Sequence, residues 1–221
     1  MTTSTHRSNP HASRPARDWW WAPSAVTLSS VVSAISALTV LQLAPHTPAR
    51  DVVVCLCLCW SLVADMVDGP LARRLGATSS FGASLDSLAD LLAFGVVPAM
   101  WCIAEHGVRL GLLVVVPAFA YVVAAAIRLA RFVDDSTPPG RFGTTFVGVP
   151  TTAAAALILV AVAAGRVAGT AAVDVVALVV AAVLMPSRVP YPKYGIGRWP
   201  LLVLVPLAGF TLIGIAVGAA S

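Results

Sequence analysis

Apolar runs long enough to cross a lipid bilayer recur along almost the whole chain, and they constrain its fold more than any other feature. A membrane-spanning helix needs about 20 mainly apolar residues. The pattern therefore predicts an all-α, polytopic transmembrane bundle, in which Pro206 and Gly209 can break the last run. Seven such runs lie at roughly 25–44, 51–68, 86–104, 110–131, 147–165, 169–186 and 199–220.

The composition excludes an ordinary soluble domain, because 58% of the residues are hydrophobic and 11% are charged. We predict one transmembrane domain, residues 19–221, preceded by a polar, disordered cytosolic tail at 1–18. The tryptophans at 19–21 suit a membrane–water interface. The first apolar run is long for a cleaved signal peptide, and further spans follow it, which favours a membrane anchor.

Basic residues are concentrated in alternate connections between the apolar runs. If the amino terminus is cytosolic, eleven of the 14 lysines and arginines face the cytosol, which is a positive-inside distribution. The net charge of +4 is then a matter of topology, and we expect no nucleic-acid partner. The prediction is a multi-pass plasma (inner) membrane protein. The eleven residues are Arg7, Arg14, Arg17, Arg73, Arg74, Arg128, Arg131, Arg141, Arg188, Lys193 and Arg198.

Four of the ten acidic residues lie within residues 65–90, at Asp65, Asp68, Asp86 and Asp90. Charge next to hydrocarbon is costly and tends to mark function. Spacings of three and four residues place each pair on one face of a helix. Two helices that meet across the connection between them would bring all four carboxylates to one point.

Four neighbouring carboxylates cannot all stay ionised unless cations lie between them. Oxygen ligands suit hard divalent ions such as Mg²⁺ or Mn²⁺. Two such ions can stabilise the attacking and leaving oxygens of a phosphoryl displacement. We therefore predict that the four aspartates are metal ligands.

The segment resembles the signature of the CDP-alcohol phosphotransferases, Asp-x2-Asp-Gly-x2-Ala-Arg-x8-Gly-x3-Asp-x3-Asp. The resemblance implies a six-helix core, here with about one extra C-terminal span, and a homodimer. It also implies CDP-diacylglycerol as substrate, two divalent cations, and Asp90 as general base. The specified types are all present, at Asp65, Asp68, Gly69, Ala72, Arg73, Gly82, Asp86 and Asp90.

The residues between the aspartates are expected to bind CDP. Gly69 and Gly82 have no side chain, so backbone and ligand can approach closely. Ala72 lies one turn after the second aspartate and keeps that face open, while Arg73 can grip a pyrophosphate through two parallel hydrogen bonds. In the family, the Ser or Thr six residues past the arginine also touches the nucleotide, and Ser79 fits that position.

Three downstream stretches, 128–132, 146–150 and 184–194, are similar to bacterial and archaeal phosphatidylserine synthases of this superfamily. Three departures are Val133, where that group usually has Asn, Ser24, where Asn often follows the proline, and the stretch Gly148-Val-Pro-Thr-Thr152, where that group has Gly-Leu-Pro-Ser-Pro. The resemblance to the superfamily is unaffected by these departures, but they leave the acceptor alcohol open.

The resemblance favours transfer of a phosphatidyl group to the hydroxyl of L-serine, with release of CMP. Cationic side chains can hold the serine carboxylate; Arg131 is the first candidate because it belongs to a matched stretch, followed by Arg128 and Lys193. An alternative is another headgroup, such as phosphatidylglycerol phosphate or phosphatidylinositol phosphate. A remote alternative is a non-catalytic membrane protein that holds metal with its aspartates.

Overall fold

A computed structural model describes residues 21–135, 145–147, 149–187 and 190–192. These residues are mainly helical, with one π-helical segment and two short strands. The elements are α1 (Ala22–Leu43), α2 (Pro48–Leu75), α3 (Ser80–Asp90), the π segment (Leu91–Val96), α4 (Val97–Leu110), α5 (Leu112–Asp135), β1 (Thr145–Val147), α6 (Thr151–Ala168), α7 (Ala172–Leu184) and β2 (Pro190–Pro192).

The helices match the first six apolar runs, because α3, the π segment and α4 form one continuous rod, Ser80–Leu110. Four rods of the described chain are long and apolar enough to cross a membrane, whereas Thr151–Arg166 and Ala172–Leu184 are shorter apolar helices. The prediction of a polytopic helical membrane protein is confirmed. The seventh run at 199–220 and the tail at 1–18 lie outside the described residues.

A short antiparallel pair links the α5–α6 connection to the segment after α7, and the sequence analysis did not predict it. Phe146 pairs with Tyr191, and Thr145 pairs with Pro192. Three-residue strands give too little alternation to be recognised from periodicity. The pairing brings together two of the stretches that resemble phosphatidylserine synthases.

Helix α1 packs along α2 through small residues and interhelical hydrogen bonds. Ser33 donates to the carbonyl of Cys57 at 2.8 Å, and Ser61 donates to the carbonyl of Ser30 at 3.3 Å. Fully buried Ala34 lies in the same core. Small side chains and cross-helix hydrogen bonds are the usual means by which helices associate in membranes, and here they fix the register of α1 on α2.

The π segment brings α5 close to the end of α3. A side chain at Gly95 would lie 3.4 Å from the Cβ of Ala125 and 3.0 Å from Leu91, so glycine permits the close approach of the two helices. Tyr121 on α5 donates to the carbonyl of Phe94 at 2.6 Å, which satisfies a backbone group in the irregular turn. Such π turns often accompany functional sites, and this one begins directly after Asp90.

Because successive helices are antiparallel, the bundle has two ends. We call the end that carries residues 65–90 the motif end and the other the opposite end. A cluster of charged residues lies at the opposite end, contributed by the start of α2, the end of α4, the end of α6 and the start of α7. Its members are Arg50, Asp51, Glu105, His106, Arg166 and Asp174.

Two arginines and two carboxylates compensate one another in this cluster. Arg50, only 3% exposed, donates to Asp51 at 3.2 Å and also to Glu105. Arg166 donates to Asp51 and lies 2.8 Å from Glu105. The sequence analysis had used Arg50 and Arg166 only as topology markers, since nothing local to either residue reveals partners on other helices.

We expect Arg50→Met to lower the stability of the bundle strongly, because it leaves two buried carboxylates with one arginine. Loss of one partner from a buried ion pair typically costs about 3–5 kcal/mol. The thermal unfolding midpoint in detergent is the measurement, with the exposed Arg109→Met as the matched control. Equal midpoints for the two variants would show that the cluster contributes nothing to stability.

Candidate metal centre

The turn between α2 and α3 sets up the motif end. Gly76 ends α2 in the left-handed conformation at φ 65°, and its N–H donates to the carbonyls of Ala72 and Arg73. Ser79 then caps α3 by accepting a hydrogen bond from the N–H of Gly82 at 3.0 Å. The chain thus reverses within a few residues, as the sequence analysis expected, and α3 starts beside the end of α2.

Three of the four aspartates meet across this turn. One carboxylate oxygen each from Asp65, Asp68 and Asp86 lie within 4.8 Å of one another. Asp68 is buried, and the other two are half-buried. Oxygens that share an octahedral Mg²⁺ are about 3–4 Å apart, so a small contraction suffices. The all-carboxylate donor set therefore fits a hard divalent cation such as Mg²⁺ or Mn²⁺.

Asp90 adjoins this group across a cavity of about 300 Å³. The wall of the cavity combines carboxylates with one arginine. Asp90 thus shares a cavity with two members of the three-carboxylate group without belonging to that group. The lining residues are Asp65, Asp86, Ser87, Asp90, Arg128, Leu129, Pro150, Thr151 and Thr152.

Arg128 is the predicted acceptor ligand that lies in the cavity. Its Nη1 is 3.4 Å from the hydroxyl of Thr151, and its buried Nε has no hydrogen-bond partner in the described part of the chain. A half-buried guanidinium with an unused buried donor is suited to an anion. Arg131 is exposed and donates to the carbonyl of Pro186 at 3.0 Å, and Lys193 lies outside the described residues.

The predicted CDP-binding residues surround the α2–α3 turn. The guanidinium of Arg73 lies back over Gly69, where an added Cβ would be 3.5 Å from Nη1. An added Cβ at Gly82 would lie 3.2 Å from the Ser79 hydroxyl, tighter than an ordinary contact. The carbonyl of Ala72 accepts a hydrogen bond from the N–H of Gly76, the residue that caps α2. Their contacts with a nucleotide remain predictions.

Several polar residues of the site were not identified by the sequence analysis. Thr27 on α1 donates to Oδ2 of Asp68 at 2.6 Å, and nothing in the spacing of the motif indicates it. Ser87, Thr151 and Thr152 line the cavity. Thr151 and Thr152 come directly after the 146–150 stretch, so their position beside a matched segment was the available signal.

Comparisons with known proteins show the family to which the chain belongs. The family model described as CDP-alcohol phosphatidyltransferase matches residues 20–213. The chain belongs to this family. Among similar proteins, the CDP-diacylglycerol--serine O-phosphatidyltransferase of Helicobacter pylori (strain ATCC 700392 / 26695) is 33% identical over 156 residues, which cover 66% of this chain and 65% of that protein.

Two other organisms have similar proteins with the same name. The one from Methanocaldococcus jannaschii is 33% identical over 134 residues, 61% of this chain and 61% of that protein. The one from Mycobacterium leprae is 34% identical over 142 residues, 62% of this chain and 45% of that protein. The matched region thus spans less than two thirds of the length of each of these relatives.

We expect Asp86→Asn to weaken Mn²⁺ binding by at least about 100-fold, because loss of a charged ligand should exceed the 10–100-fold effects of residues that only support ligands. Titration of the purified protein with Mn²⁺, followed by the electron paramagnetic resonance signal of the free ion, measures this. Asp18→Asn, before the first span, removes the same charge as a control. Equal affinities in the two variants would exclude Asp86 as a ligand.

Proposed function

We propose that this protein transfers a phosphatidyl group from CDP-diacylglycerol to the hydroxyl of L-serine, giving phosphatidylserine and CMP. One observation carries the proposal: a single cavity joins carboxylates suited to divalent cations with a half-buried arginine suited to an anionic acceptor. Family membership supports the reaction class, and the names of the relatives support serine.

We assign Asp65, Asp68, Asp86 and Asp90 to the binding of two divalent cations, Mg²⁺ or Mn²⁺, as the family resemblance implies. The close approach of the first three supports one site, and the position of Asp90 across the cavity supports its part in the second. Bound cations would neutralise the pyrophosphate and stabilise negative charge that develops in the transition state.

CDP is proposed to bind at the α2–α3 turn, while the acyl chains of the donor stay in the bilayer. Arg73 donates hydrogen bonds to the pyrophosphate, and Gly69 and Gly82 allow close approach of the nucleotide. Ala72 keeps its helix face open, and Ser79 contacts the nucleotide at the start of α3. The location of these residues beside the carboxylate group supports this assignment.

Asp90 is proposed as general base. It takes the proton from the serine hydroxyl, and the serine oxygen attacks the phosphorus that carries the diacylglycerol. The new phosphorus–oxygen bond forms as the bond from that phosphorus to the bridging oxygen of the pyrophosphate breaks. CMP leaves with the electron pair of that bond, and the proton stays on Asp90 until it passes to solvent.

The acceptor carboxylate is proposed to bind Arg128. Its buried Nε offers an unused donor beside the cavity, and Nη1 of the same guanidinium donates to the hydroxyl of Thr151 at 3.4 Å. Arg131 and Lys193 remain secondary candidates. The distribution of basic residues supports a cytosolic site in the inner membrane, and the family resemblance supports a homodimer.

Purified protein is incubated with CDP-diacylglycerol, Mn²⁺ or Mg²⁺, and one alcohol at a time: L-serine, glycerol 3-phosphate, inositol 1-phosphate or choline. We expect CMP release with serine alone. Release with another alcohol would keep the reaction and change the acceptor. No release with any alcohol, in folded protein that binds Mn²⁺, would favour a non-catalytic metal-binding protein.

We expect Asp90→Asn to lower kcat by at least about 100-fold, because general-base catalysis contributes about 10²–10⁴. CMP release measures kcat, and an unchanged unfolding midpoint shows that the variant is folded. Ser80→Ala, at an exposed position of the same helix, serves as the control. Near-normal turnover of Asp90→Asn would refute the assigned base.

We expect Arg128→Gln to raise the KM for serine by about 10- to 100-fold, since a hydrogen bond to a charged group contributes about 1.5–3 kcal/mol. The KM for CDP-diacylglycerol should change little. Arg131→Gln removes the same charge three residues along the helix, outside the cavity lining. If Arg131→Gln alone raises the serine KM, then Arg131 is the acceptor ligand.

A further inference from the structure

Thr27 makes a buried hydrogen bond to one of the clustered aspartates from a different helix. Its Oγ1 lies 2.6 Å from Oδ2 of Asp68, and the two residues are 5% and 6% exposed. The same hydroxyl is 3.1 Å from the carbonyl of Pro23. A hydroxyl has one proton, and the shorter distance matches a charge-assisted bond to a carboxylate. The Thr27 hydroxyl therefore donates its proton to the hydrogen bond with Asp68 rather than to the one with the carbonyl of Pro23.

This bond restricts how Asp68 can turn. A carboxylate on a helix rotates about two side-chain torsions, and only some orientations direct an oxygen toward Asp65 and Asp86. With Oδ2 held by Thr27, rotation is limited, while Oδ1 and the remaining lone pair of Oδ2 stay available. Loss of a hydrogen bond that orients a metal-binding carboxylate typically lowers metal affinity by about 10- to 100-fold.

The donor itself is rigidly placed. Thr27 lies on the part of α1 whose register on α2 is fixed by the bonds from Ser33 to the carbonyl of Cys57 and from Ser61 to the carbonyl of Ser30. Sites supported from rigid elements hold their geometry better than sites supported from loops. The Thr27 hydroxyl therefore meets Asp68 at a position set by the packing of two helices.

We propose that Thr27 is a positioning residue for the metal centre: it orients the carboxylate of Asp68 so that a divalent cation meets a preformed group. The inference rests on the metal binding in the proposed function and goes beyond it, because it assigns a role in metal affinity to a residue of α1 outside the aspartate motif.

The test compares three variants by Mn²⁺ titration of the purified protein without substrate. Thr27→Val keeps the shape of the side chain and removes the donor, so we expect a 10- to 100-fold higher Kd for Mn²⁺. Thr27→Ser keeps the donor and should bind Mn²⁺ as the unaltered protein does. Ser36→Ala removes a hydroxyl of α1 that bonds only to the carbonyl of Val32 in its own helix, and it should leave the Kd unchanged.

A purely structural role for Thr27 predicts a different pattern. In that case Thr27→Val would lower the unfolding midpoint and leave the Mn²⁺ Kd unchanged, which would overturn the inference. If Thr27→Val does not fold, Thr27→Ala removes the hydroxyl without adding bulk and takes its place. An unchanged Kd in that variant would also overturn the inference.

The proposed reaction and the proposed role of Thr27 can be refuted independently of each other. If the unaltered protein binds Mn²⁺ and releases no CMP, the reaction is refuted, while the Kd of the variants still decides the role of Thr27. If CMP release is normal and Thr27→Val binds Mn²⁺ as tightly as the unaltered protein, the inference alone is refuted. If the unaltered protein binds no Mn²⁺, both are refuted.

Discussion

A buried carboxylate destabilises an apolar bundle unless opposite charge or hydrogen-bond donors compensate it, and the two ends of this bundle meet that constraint in different ways. At the opposite end, Arg50 and Arg166 neutralise Asp51 and Glu105 from within the chain. At the motif end, the three clustered aspartates have a threonine donor and, among the described residues, no arginine in salt-bridge contact. The negative charge of this group is therefore not compensated by a described cationic side chain, which is the main physical argument for the proposed binding of a divalent cation.

The helical packing makes this arrangement possible. Small residues let α1 lie close to α2, and Gly95 lets α5 approach the π segment, so that side chains from separate helices reach one cavity. The π turn displaces the helix directly after Asp90, and Tyr121 satisfies a carbonyl within it. Irregular backbone is tolerated in membrane proteins where protein groups satisfy it. Here the irregular turn lies between the transmembrane core and the site.

Local pattern was enough to predict the rods and the aspartates that share a helix face, because helix length and spacings of three or four residues are properties of one segment. It did not show that Asp90 lies outside the group formed by Asp65, Asp68 and Asp86, which all four were expected to form. The same kind of spacing explains why the sequence could not distinguish between two candidate acceptor ligands. Arg128 and Arg131 are three residues apart and share a helix face, so sequence alone could not show which one enters the cavity. The rotation of α5, set by contacts such as Gly95 with Ala125, places Arg128 there. Thr27 and the opposite-end cluster depend on contacts between distant segments, which periodicity does not encode.

The cavity at the motif end bears on the proposed acceptor through its volume and through the cation in its wall. A volume of about 300 Å³ is at the lower limit of typical ligand sites, which suits an amino acid while the lipid donor remains in the bilayer. Of the described residues that line it, Arg128 is the one cation, and carboxylates line the same wall. In the proposed function the aspartates on this wall hold divalent cations, so their charge would not repel an anionic acceptor. Arg128 can then bind the carboxylate of serine or the phosphate of another alcohol. The lining therefore supports an acceptor with an anionic group, and the choice of serine rests on the names of the relatives.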